Sequence, residues 1–223
     1  MNPDRKYWNQ QQQALKHALS TSGEHQRAIE LFLSQHAMVH SSALAQSGLW
    51  SFQDEVWEGL SEPAARCIPP KFDHSIAWLL WHIARIEDVA MNLLVAGSPQ
   101  ILHQGNWMES LQVTVCDTGN LSSPAQVADL SARIDLDTLK AYRLAVGRRT
   151  REMVQELLPE HLKQRVQPSR LQRVLDEGAV NPAATDLIAY WGGLKIAGLL
   201  LMPPTRHNFV HLNEALRVKR KCQ

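Results

Sequence analysis

Apolar positions at helical spacing recur along this chain, and strand-like alternation does not. A polar N-terminal segment predicts a short helix over about residues 4–20. Thr21-Ser22-Gly23-Glu24 then has the form of a capping box, and the helix it opens is expected to run to about Gly48. Its apolar stripe is Ile29, Leu33, His36, Val39, His40 and Ala43, so two histidines lie on the face turned to the core. Trp50 to Pro70, rich in Trp, Pro and Gly, reads as a structured connection, because Pro69-Pro70 lets no helix continue. A second long helix is predicted with Asp73 as N-cap and continues to Ala96, where Gly97-Ser98-Pro99 supplies the stop. This helix is apolar almost all round, as a helix inside a bundle is, and His82 shares its side with Trp78, Leu79, Ile86 and Val89.

Residues 98–123 show no period and read as a long loop, of the kind that often serves as a lid. Ser123-Pro124-Ala125-Gln126 combines an N-cap, a first-turn proline and an amide at the third position, opening a helix that restarts near Asp135 and runs to Leu158 before Pro159. A mixed region follows from Glu160 to Thr185, with a short helix around Ser169–Asp176. Leu187–Met202 is apolar, but it contains Lys195 and adjacent glycines and falls short of the roughly twenty residues of a membrane span, so it reads as buried core. Pro203-Pro204 predicts a kink or a fresh start before a last helix to about Lys219. In either geometry His207 and His211, four apart, share one helical face. The pattern therefore predicts an all-α chain with a single domain over residues 1–223, residues 1–20 forming an N-terminal extension and 98–123 the long loop.

Composition changes this picture mainly by exclusion. With 223 residues and 44% hydrophobic content, the chain can bury the core of one domain. Its formal net charge is +1, and its basic runs, Arg148-Arg149-Thr150-Arg151 and Lys219-Arg220-Lys221, read as solvated surface and tail; neither nucleic acid nor a membrane is expected as partner. Cys67, Cys116 and Cys222 are odd in number and widely spaced, which argues against a disulfide framework and for a reducing cytoplasm. No apolar stretch near the start resembles a signal peptide.

The candidate chemistry lies in the histidines. His207 and His211 can reach one ion from a single helix face while His82 approaches from another helix, giving three imidazoles and an open coordination position. His36 and His40 form a competing pair. A buried histidine is ordinarily a hydrogen-bonded core residue, and the same holds, less strongly, for a His-x-x-x-His pair without the glutamate of the zincin motif. Glu214, one turn after His211, is positioned to orient a ligand or act as a base. His17, His25, His74, His103 and His161 read as surface or capping residues.

Ser75-Ile76 with His82 seven residues after Ser75, followed by Leu199-Leu200 and the His207/His211 pair, resembles the DinB/YfiT-like superfamily over roughly residues 24 to 218. The resemblance implies an up-down-up-down four-helix bundle, here with extra short helices and a long loop. It also implies a divalent metal, zinc or nickel first and iron or manganese as alternatives, held by His82, His207 and His211. The family's first helix does not ordinarily supply ligands, so His40 becomes a residue that lines the pocket or positions a substrate, with Trp78 as a wall. Arg85 stands where many members have an acidic residue, and Val210 where many have a further histidine; both departures bear on substrate more than on metal. Some members transfer groups to low-molecular-weight thiols, so the resemblance implies a metal-dependent transferase or hydrolase acting on a small molecule, which a thiol would fit, in a chain that forms a homodimer. The alternative is a non-catalytic bundle that binds a small ligand or partner protein, its histidines satisfied by hydrogen bonds.

Overall fold

The computed structural model describes residues 3–45 and 47–223; Met1, Asn2 and Gln46, which fall in the expected extension and the first long helix, lie outside them. The fold is all-α. Among the described residues there is no strand, and one isolated bridge joins Arg165 to Lys195. In order the helices are α1 (Pro3–Ser20), α2 (His25–Val39), α3 (Phe52–Trp57), α4 (Glu62–Arg66), α5 (Ile76–Asp88), α6 (Trp107–Ser110), α7 (Pro124–Arg133), α8 (Leu136–Gln155), α9 (Pro159–Lys163), α10 (Pro168–Asp176), α11 (Thr185–Gly193), α12 (Ile196–Leu201) and α13 (Asn208–Cys222). Two wide, π-type segments interrupt the regular geometry, Val89–Ala96 directly after α5 and Met202–His207 directly before α13.

Every residue of α5 is buried, as its all-round apolar pattern predicts. It packs against α8 and α13, and His36 of α2 reaches its Glu87 at 2.8 Å. One side of the core gathers Trp78, Trp81, Tyr142, Phe209 and Leu212, the other Phe32, Ile86, Leu93, Met153 and Leu199. The N-terminal helix is fastened to the wide turn before α13. Trp8 stacks on Phe209 at 3.9 Å between ring centroids, Arg206 donates to Asn9 Oδ1 at 2.8 Å and Gln12 Nε2 to the Leu201 carbonyl at 2.9 Å.

Several local expectations are corrected. Thr21 makes no capping box, because its hydroxyl donates back to the His17 carbonyl at 2.9 Å, closing α1, while α2 begins after Glu24 without a side-chain cap. The following helix ends at Val39, not Gly48: His40 turns extended (φ −118°, ψ 170°) and Ser51 Oγ takes its carbonyl at 2.6 Å. Ser75, not Asp73, caps α5, accepting from the Trp78 amide at 3.0 Å. Leu187–Met202 is divided at Leu194-Lys195 and is only partly core, with Tyr190 47% exposed. By contrast the Ser123/Gln126 capping box forms, and Gly97 ends the second long helical stretch in the left-handed region (φ 71°), as expected.

The cysteine reading is also corrected. Cys67, just after α4, and Cys222, the last residue of α13, form a disulfide across 155 residues of sequence with their Cα atoms 6.1 Å apart, and Cys116 alone is free. Spacing in sequence carries no trace of this pairing, which depends on the fold bringing α4 beside the end of α13. The cysteines therefore give no support to a reducing compartment. Among the described residues no helix is long and apolar enough to cross a membrane. In unreduced, denatured protein one thiol is expected to react with a thiol reagent, and all three after reduction; three reactive thiols before reduction would disprove the bond.

Candidate metal centre

The wide turn at Met202–His207 follows from the two prolines. Pro204 has no amide hydrogen to give the Leu200 carbonyl four residues earlier. The Thr205 hydroxyl bonds that carbonyl instead, at 2.9 Å. Asn208 Nδ2 donates to the Pro204 carbonyl at 3.1 Å, and regular helix begins there. His207 thus closes the wide turn and His211 lies one turn into α13.

There they meet His82 from the middle of α5. The ring centroids are 5.0 Å apart for His82 and His207, 5.1 Å for His82 and His211, and 4.5 Å for His207 and His211, and a ligand atom of each lies within 4.8 Å of the others. Two of the rings have their tautomer fixed. His82 Nδ1–H donates to the Thr118 carbonyl at 2.5 Å and His211 Nδ1–H to Glu214 Oε2 at 2.9 Å, which leaves Nε2 of each as the nitrogen open to a ligand. His207 Nδ1 is buried with no hydrogen-bond partner among the described residues. Burial, with His211 beside it, lowers the His82 pKa to about 3; burial and the neighbouring His82 and His211 hold His207 well below its usual value. The hydrogen bond from His211, with His74 Nδ1 3.8 Å away, lowers Glu214 to about 2. His82 and His207 are therefore neutral at pH 7, the form a metal requires.

The aromatic wall extends outward from His82. Trp78 stacks on His82 at 4.8 Å and His74 stacks on Trp78 at 3.9 Å. His74, expected at the surface, is thus part of the cluster's rim. The 98–123 segment, expected as a loop, holds two short helical turns and presents Thr118 to His82. It is anchored by Arg85 and Asp88 of α5: Arg85 donates to the Cys116 carbonyl at 2.7 Å and to Gln100 Oε1 at 2.6 Å, while Asp88 accepts from the amides of Ile101 and Leu102 at 2.8 and 3.0 Å. Arg85, the departure from the family pattern, therefore works on the loop behind His82.

A second group, His36, His40 and Glu87, also meets the spacing a metal needs. Here, however, the carboxylate is fully engaged. Oε1 accepts from His36 Nε2 and Thr150 Oγ1, both at 2.8 Å, and Oε2 from His40 Nε2 at 2.8 Å and Asn208 Nδ2 at 2.6 Å. His40, expected near a substrate, has this nitrogen committed to Glu87 and is 1% exposed. Burial alone would raise Glu87, but the His40 and His36 rings overcome it and hold the carboxyl well below its usual range. Burial, with Glu87 opposing it, lowers His40 to about 3. Glu87, Thr118, Asn208 and His74 are the residues the sequence did not single out. Glu87 carried a readable signal, since a carboxylate in an all-round apolar helix must find buried donors; Thr118 carried none.

His82 is contributed by a segment that the DinB superfamily model matches, residues 49–185. That is more than half of the 223 residues, and the chain belongs to this superfamily. His207 and His211 lie beyond the matched segment, so their place beside His82 rests on the geometry above. No curated protein matches the sequence significantly.

Two outcomes follow. Gly147 leaves room for His40, since a Cβ there would stand 2.8 Å from His40 Nδ1; Gly147→Ala is expected to cost about 1–3 kcal/mol in urea unfolding, and a change under about 0.5 kcal/mol would refute the close fit. For metal-free protein, acid is expected to destabilise. Between pH 6.5 and about 3 the unfolded chain takes up protons that buried His40 and His82 refuse, so each costs about 1.4 kcal/mol per pH unit as the pH falls through that window. Glu87 acts in the same direction below its unfolded value, its contribution being lost as the pH falls through its depressed folded pKa. A melting temperature that stays level from pH 7 to 5 would contradict this.

Proposed function

We propose that this chain binds one divalent metal ion through His82, His207 and His211 and works on a small molecule as a metal-dependent enzyme, either a transferase using a low-molecular-weight thiol or a hydrolase. The observation that carries this reading is the state of the three rings. Two are oriented by a carbonyl and a carboxylate that accept from Nδ1, and the third has a buried Nδ1 with no partner among the described residues. With one ligand atom of each ring within 4.8 Å of the others, the arrangement favours a shared ion over three unrelated core histidines. The fit to an imidazole-binding ion is therefore good, zinc or nickel before iron or manganese. An ion held by three neutral imidazoles keeps an open position and supplies Lewis acidity toward a water or thiol.

The chain's own groups do the rest. Thr118 and Glu214 fix the ring orientations, and Trp78 makes a flat apolar wall against His82 that keeps water from that side. Solvent reaches the cluster at His211, whose side chain is 21% exposed while His82 is 4% exposed, and a substrate would enter there past Glu214 and His74.

The test is metal content by elemental mass spectrometry of tag-free wild type, His82→Ala, His211→Ala and His36→Ala. Near-stoichiometric metal in wild type, lost in the first two variants and kept in the third, is expected. Metal lost only with His36→Ala would move the ion to the Glu87 cluster, and metal absent throughout would leave a non-catalytic bundle.

A further inference from the structure

We infer that Asn208 is a positioning residue for the proposed metal centre, linking the buried Glu87 cluster to the wide turn that sets His207. The inference rests on the reading of His82, His207 and His211 as ligands.

The two histidine clusters look like rival metal sites, but the hydrogen bonds give them different tasks. In the inner cluster each carboxylate oxygen of Glu87 already accepts two bonds, at 2.6–2.8 Å, from groups on α2, its C-cap, α8 and α13. A cation there would have to displace donors that satisfy a buried charge, with the buried Arg143 guanidinium nearby and acting on His40 as a like charge. The cluster is a rigid anchor. In the outer cluster Nδ1 of His82 and Nδ1 of His211 are each held by a hydrogen bond, whereas His207 has none at Nδ1 among the described residues to hold its ring. Its position depends on the backbone of the residues around it.

Asn208, directly after His207 and fully buried, holds that backbone by one amide group. Nδ2 donates both to Glu87 Oε2 at 2.6 Å and to the Pro204 carbonyl at 3.1 Å. One bond fixes α13 against α5, which also carries His82; the other supplies a side-chain donor to a turn in which two successive amide hydrogens are missing. Glu87 lies five residues after His82 on the same helix, so the distance between His82 and His207 is spanned by a short chain of bonds, from α5 through Glu87 and Asn208. Thr150 bonds the other carboxylate oxygen from α8 and touches neither the turn nor α13 through that bond. It supplies the control.

The experiment titrates cobalt(II) into metal-free wild type, Asn208→Ala and Thr150→Val, reading affinity and the visible absorption of the bound ion, with unfolding midpoints measured alongside. Both variants lose one donor to Glu87 and should lose comparable stability. Asn208→Ala is expected to bind cobalt at least about tenfold more weakly, with a shifted visible spectrum, while Thr150→Val stays within about twofold of wild type with an unchanged spectrum. If Asn208→Ala does not fold, Asn208→Ser replaces it; its hydroxyl can bond the carbonyl four residues earlier, and it should show a smaller loss in the same direction. Wild-type affinity and spectrum in the Asn208 variant, or equal losses in both variants, would overturn the positioning role. Failure of wild type itself to take up cobalt, or uptake undiminished in His82→Ala, would instead overturn the metal reading and the inference with it.

Discussion

A carboxylate buried in the last turn of an apolar helix is the constraint on which this architecture depends. Removing a charge of that size from water costs several kcal/mol even after relaxation, and the cost is offset only when its oxygens are saturated by donors in good geometry. Glu87 is saturated by groups from three other parts of the chain: His36 and His40 at the end of α2, Thr150 on α8 and Asn208 at the start of α13. Hydrophobic burial brings these helices around α5 without fixing their axial offsets, because apolar contacts are non-directional. Four hydrogen bonds to one carboxylate do fix them. The end of α2 belongs to the same solution, since His36 in its last turn and His40 at its extended C-cap both bond Glu87.

The other two charges of α5 follow the same logic on the opposite side. Arg85 and Asp88 form a buried pair at 2.9 Å and each also bonds the 98–123 segment, while Tyr142 donates to Asp88 at 2.6 Å and accepts from Arg85, and Asn92 donates to Asp88 at 2.7 Å. A loop so anchored can hold one carbonyl, that of Thr118, against His82. Thus α5 carries the His82 ring at its centre, a charged pair that positions the loop behind that ring, and a carboxylate that positions the helix in front of it.

What could be read from the sequence divides along a physical line. Helical periodicity, proline stops and the Ser123 capping box are local, and the all-α class and most helix positions follow from them. The spacing of His207 and His211 and the apolar setting of His82 are local too, which is why these three residues could be named together. The capping box at Thr21 failed because a hydroxyl has competing local carbonyls, and His17 was nearer in the folded turn. The Cys67–Cys222 bond, Thr118 and His74 were illegible because each depends on contacts between segments distant in sequence or on irregular backbone. His36 and His40 were visible as a pair, but only Glu87 shows that the pair serves an anchor.

The geometry of the outer cluster finally depends on parts of the chain outside residues 49–185, where the superfamily match lies. Two prolines leave the turn before α13 short of backbone donors, and a turn in that state has no reason of its own to stop at one residue and not the next. Side chains decide it. Gln12 bonds Leu201, Thr205 bonds Leu200 and Asn208 bonds Pro204, so the donors come from α1, from the turn itself and from α13. Trp8 stacked on Phe209 and Asn9 bonded to Arg206 press α1 along the same stretch. The N-terminal helix, which the sequence presents as an extension, is therefore a structural support for the wide turn and the helix that between them carry His207 and His211. A truncation that removed it would strip the wide turn of the Gln12 donor and of its aromatic cover together.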